Sequence, residues 1–148
     1  MRPSARLCRV PRRLWLSLLL TALTVTSVAA EHEIFYRYTV LGYVKDAAGR
    51  PRPGQLVELV RDKTGFSYLD STDETGLFVI VARLGDESVG EALTLRLEAT
   101  RTRLIARFDA ANHTEERGTR VDVEGTRVLE RPASFRSTLA MLVGVSRP

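Results

Sequence analysis

The densest run of reactive side chains is Asp109-Ala110-Ala111-Asn112-His113-Thr114-Glu115-Glu116-Arg117-Gly118-Thr119. It sets an imidazole that titrates near neutral pH among carboxylates, which can orient it or share a metal ion with it. With a Ser or Thr hydroxyl added, His113 and Asp109 formally complete a hydrolytic triad. The same residues also make a solvated loop, in which Asp109 and Asn112 cap turns and Glu115 or Glu116 pairs with Arg117. Nothing in the run has the form of a nucleophile elbow. The expectation is a binding loop rather than an enzyme site, with Asp109, Asn112, His113, Glu115, Glu116 and Arg117 as its contact residues.

Two other chemistries are open to the chain. A mature terminus at Ala30 begins Ala30-Glu31-His32, and a free amine with His in third place chelates Cu(II) or Ni(II) in a square plane. A terminus at Glu31 lacks that geometry, so His32 and His113 are the candidate ligands of a metal-binding alternative. Asp46, Asp70 and Asp73 suggest calcium, but turn formation accounts for Asp46 and Asp73. Phe66 and Tyr68 fall on one strand face, and with Phe35 they offer rings for stacking on a sugar, a carbohydrate-binding alternative. No cofactor is expected.

The elements that position these residues begin after a leader. Arg2, Arg6, Arg9, Arg12 and Arg13 form a basic region, Leu14 to Val25 an apolar one, and Ser27-Val28-Ala29-Ala30 a cleavage site. Residues 1–30 are therefore read as a signal peptide, 31–131 as one domain, and 132–148 as a C-terminal tail or final strand. The chain has 22 basic and 18 acidic residues, five of the basic ones in the leader, which leaves 17 against 18, or −1. The basic pI belongs to the leader, and nucleic acid is not an expected partner. Cys8 is the only cysteine and lies in the leader, so the mature chain has neither disulfide nor thiolate ligand. No stable membrane span is expected after cleavage. The protein is expected in the periplasm or secreted, with another envelope protein as partner.

From Ile34 onward the apolar residues recur every second position, the period of a strand. Tyr36, Tyr38, Val40, Gly42 and Val44 make the expected core face of the first. Gln55 to Arg61, Phe66 to Ser71, Leu77 to Val81, Leu93 to Ala99 and Leu104 to Phe108 follow, with a break at Arg101-Thr102. Val121, Val123 and Val128 resume the alternation after the loop. Gly49, Pro51 and Gly54 shape one connection, while Asp62 with Gly65 and Asp73 with Gly76 mark two hairpin tips. The spacing predicts an all-β, seven- to eight-stranded Greek-key sandwich with antiparallel sheets. The tail fits a helix with Phe135, Leu139, Leu142 and Val143 on one face and Ser134 as N-cap. It also fits a strand through Leu139, Met141, Val143 and Val145, which is preferred because the run is short.

The pattern Val40-x-Gly42-x-Val44-x-Asp46-x-x-Gly49-x-Pro51-x-x-Gly54-x-x-Val57-x-Leu59, then Thr72-Asp73-x-x-Gly76-x-Phe78-x-Ile80, resembles the carboxypeptidase regulatory-like domain. The resemblance covers residues 39 to 97. It implies a transthyretin-like or immunoglobulin-like sandwich that serves outside the cytoplasm as an accessory, structural or ligand-binding module. The matching residues are architectural, and none carries over as catalytic. The family domain usually ends near the strand at Leu93 to Leu97, so an individual function is expected in the added element from Arg103 to Gly125.

Overall fold

A computed structural model of the chain describes residues 34–145. The leader, His32 and the last three residues lie outside them. Eight strands form: β1 (Tyr36–Lys45), β2 (Leu56–Arg61), β3 (Ser67–Ser71), β4 (Leu77–Leu84), β5 (Ala92–Leu97), β6 (Thr100–Ile105), β7 (Arg117–Glu124) and β8 (Arg127–Glu130). A 3₁₀ turn, Asp86–Ser88, lies between β4 and β5, and a second, Pro132–Ser134, leads into helix α1 (Phe135–Val145). One sheet has the order β4-β1-β7-β8 and the other β3-β2-β5-β6. The expected all-β sandwich is the fold of the chain.

Alternation builds the core between the sheets. Tyr38, Val40 and Val44 of β1 face Val57 and Leu59 of β2, Phe78 and Ile80 of β4, and Leu93, Leu95 and Leu97 of β5 in one buried cluster. Each such aliphatic side chain contributes about 2 kcal/mol when fully withdrawn from water. Gly76 closes the Asp73 turn at φ +78°, and a Cβ there would stand 2.4 Å from the Val44 carbonyl oxygen. Both the conformation and the space demand glycine.

Four expectations need correction. The β1–β7 pair is parallel, with Tyr38 opposite Arg117 and Val44 opposite Val123. The chain reaches β7 only after visiting the other sheet, so no local turn announces the pairing. The Asp73 turn joins β3 to β4, which lie in different sheets, and so is not a hairpin tip within one sheet. The break before β6 falls at Glu98-Ala99, where Glu98 takes φ +49°, and Arg101 and Thr102 lie inside the strand.

The fourth is the tail, which is a helix and not a final strand. Its Ala, Met and Leu residues favour helix, and the outer face of the first sheet needs cover. Thr39 and Leu41 of β1, on the face away from the main core, are 2% and 0% exposed, and Phe135 and Thr138 of α1 are 2% and 4% exposed. The spacing of three that puts these helix residues on one face leaves Val143 exposed. Ser134 meets the helix through its carbonyl, which accepts from the Thr138 hydroxyl at 2.7 Å. Gly118 lets the helix approach, since a Cβ there would meet the Phe135 ring 2.6 Å away.

Candidate functional site

The loop from Ala106 to Glu116 joins β6 in one sheet to β7 in the other, and its geometry is set by the first residue of β7. Arg117 lies almost wholly inside, its side chain 5% exposed. One nitrogen, Nη1, donates to Asp86 Oδ1 at 2.9 Å. The other, Nη2, donates to the carbonyls of Asp109 at 3.4 Å, Ala110 at 3.3 Å and Asn112 at 3.1 Å. Its guanidinium carbon sits 4.6 Å from the Tyr36 ring centre and 4.4 Å from that of Phe108. A planar fork held between two rings suits this geometry, which a point-charge ammonium could not reproduce.

His113 completes the brace. Its Nε2 lies 2.9 Å from Asp86 Oδ2, and its ring stacks on Tyr36 with centroids 4.4 Å apart and planes 5° from parallel. Desolvation opposes the charge on Asp86, but hydrogen bonds from His113 and Arg117 outweigh it and hold its carboxyl below the usual range. Asp109 Oδ1 accepts from Ala111 N–H at 2.9 Å, and Asn112 Oδ1 accepts from Thr114 and Glu115 N–H at 3.0 and 3.1 Å.

Thus the structure brings Asp109, Asn112, His113 and Arg117 together as the hydrogen-bonded frame of the loop, with Arg117 buried and Asp109 and His113 exposed. The carboxylate partner of Arg117 is Asp86, not the expected Glu115 or Glu116. Glu115 turns outward to pair with Arg136 of α1. Glu115 and Glu116 border a cleft of about 370 Å³ with Phe108, Pro132, Phe135 and Arg136. Glu115, Glu116 and Arg136 also border a second cleft with Leu139 and Val143 of α1, the latter 58% exposed.

The other candidate residues stand apart. Asp46 Oδ1 accepts from Ala48 and Arg50 N–H, both at 2.9 Å, and Asp73 Oδ1 from Thr75 and Leu77 N–H at 2.8 and 3.0 Å. The Arg50 N–H foremost at Asp46, and the Thr75 hydroxyl, donating at 2.7 Å, foremost at Asp73, hold both carboxyls below the ordinary range. Phe66 and Tyr68 meet at 59°, a tilted pair rather than a flat platform, and the Tyr68 hydroxyl accepts from Arg83 N–H at 3.1 Å. Burial pushes the phenol of Tyr38, behind Phe108, up to about 12. No group of three or more potential metal ligands occurs among the described residues.

Sequence reasoning missed Asp86, Tyr36 and Phe108 as members of the site. Asp86 lies 31 residues from Arg117 along the chain, and no local pattern ties them. It also missed a network on the outer face of the first sheet. There Asp122, 4% exposed, accepts from Tyr43 N–H at 3.1 Å, from Arg120 at 2.9 Å and from Arg131 at 3.3 Å. Arg120 in turn donates to Thr138 of α1 at 2.9 Å.

No protein-family model matches the chain, and no curated protein does. Among solved structures it is similar to the dioxygenase domain of a dioxygenase and carbohydrate-binding protein fusion from the cellulolytic bacterium Streptomyces sp. SirexAA-E. The two share 19% identity over 64% of this chain and 82% of that one, with a TM-score of 0.46.

Proposed function

We propose that the chain is an exported, non-catalytic accessory module that presents the β6–β7 loop and the outward side of α1 to another envelope protein. One observation carries the reading. Arg117 is turned inward and occupied in holding the loop, and His113, though exposed, is occupied by Asp86 and the Tyr36 ring, while Thr114, Glu115 and Glu116 face solvent. A loop fixed before binding avoids much of the ordering cost of association. The exposed Val143, in one cleft with Glu115 and Glu116, adds an apolar margin to that polar surface.

The resemblance to carboxypeptidase regulatory-like domains accords with an accessory role, because Asp73 and Gly76 of the shared pattern shape a turn.

Affinity capture from the host envelope tests the proposal, comparing the unaltered chain with Thr114→Arg plus Glu116→Arg. Both positions are exposed, so the fold should persist. A specific partner lost in the double variant is the expected result. The same partners captured by both forms would contradict it.

A further inference from the structure

We infer that the free edge of β6 takes up an extended acidic segment of a partner protein, whose carboxylates stand two residues apart along its strand. This rests on the protein-interaction reading and adds the place and chemistry of strand pairing.

The two sides of the sandwich are unlike. On one side, Asp70 Oδ2 accepts from Val79 N–H at 2.7 Å and the Tyr68 hydroxyl from Arg83 N–H at 3.1 Å, so side chains of β3 occupy the outward backbone of β4. Such occupation is one way a sheet edge is protected from pairing. On the other side, β6 ends the order β3-β2-β5-β6, and no such side-chain cover lies on it among the described residues.

The side chains along that edge carry a charge surplus. The register sets Arg96 of β5 opposite Arg101 of β6, and Thr94 opposite Arg103. Like charges directly opposite destabilise a sheet. Arg96 reaches Glu58 only at 3.4 Å, and its Nε is buried without a hydrogen-bond partner. The guanidinium groups of Arg101 and Arg103 have neither hydrogen bond nor ion pair among the described residues. Leu56 and Leu69, 62% and 61% exposed, lie with Glu58, Arg96 and Arg101 along a groove of about 660 Å³ on the same face.

A strand added to β6 would place every second side chain on this face. Carboxylates at those positions meet Arg101 and Arg103, and the peptide backbone completes the ladder. A second copy of β6 would bring the same arginines to the seam, which disfavours self-pairing.

The probe is an end-capped peptide of about six residues alternating Glu and Val, the length of an ordinary strand. It is titrated into the protein while amide exchange is read along β6. Expected are protection of the outward β6 amides and binding about tenfold weaker in Arg101→Ser plus Arg103→Ser, the size of effect close charge pairs produce. Lysine at both positions should retain part of the affinity. A control peptide N-methylated at alternate amides keeps the charge and cannot pair, so it should not bind.

Three results overturn the inference: no binding to the folded protein, equal binding of the N-methylated peptide, or serine variants that bind as well. Equal binding of the control would mark a general polyanion surface. Dimerisation of the serine variant through β6 without peptide binding would show that the arginines only keep copies apart. Partner capture at the β6–β7 loop is scored separately. Its survival when peptide binding fails leaves the accessory-module reading standing, and its loss with β6 pairing intact removes only the loop.

Discussion

Arg117 decides the shape of the loop through geometry as much as charge. Lysine keeps the charge but cannot lie flat between Tyr36 and Phe108 while donating to Asp86 and to the loop carbonyls. Arg117→Lys is therefore expected to lose about 2 kcal/mol in urea unfolding, a typical cost of disrupting a buried polar network. An unchanged midpoint would show that the fork is dispensable. A second residue, Glu91, contributes to the acid limit. Arg61 donates to Glu91 twice, both at 2.7 Å, and these bonds hold its carboxyl below the ordinary value of 4.5. A carboxyl with a depressed folded pKa stabilises above the unfolded value, and that stability fades as pH falls through the folded one. Glu91→Gln should flatten the fall in stability below about pH 4.5, and parallel acid-unfolding curves for the two proteins would contradict the assignment.

At the scale of elements, α1 is held by its first turn. Phe135 reaches Gly118, Thr138 meets Arg120, and the later residues are more exposed. Phe135→Ala should cost about 3 kcal/mol locally and release the amides of α1 to exchange while the strands keep their protection. Loss of protection throughout would mean that the helix folds as one unit with the sandwich. The β4 edge makes a separate prediction. Asp70→Ala removes the acceptor for Val79 N–H, so self-association on size exclusion should rise, and a purely monomeric variant would show the edge was not protected this way. These elements also show how far sequence reasoning reaches. The alternation from Tyr36 to Val44 identified both the strand and its inward face, because period two is a local property. In the tail, alternation and a short helical face coincide, so the local pattern alone does not separate strand from helix. What resolves them is Thr39 and Leu41, nearly a hundred residues away, which need cover.

For the molecule as a whole, the two ends of β1 divide the work. Near Val44 the chain is closed by the Asp73 turn, whose residues serve the backbone. Near Tyr36 it carries the braced loop, whose outward side chains are the ones we propose meet a partner. The loop was visible in the sequence as a polar run, yet its inner and outer members were not, since Arg117 is buried only through Asp86, Tyr36 and Phe108. Site-specific photo-crosslinking in the host tests the division directly, with the reactive group placed in turn at Glu116 in the loop and at Glu74 in the far turn. A discrete adduct to one envelope protein from Glu116, and none from Glu74, is the predicted result. Equal adducts from both positions, or an adduct from Glu74 alone, would contradict it.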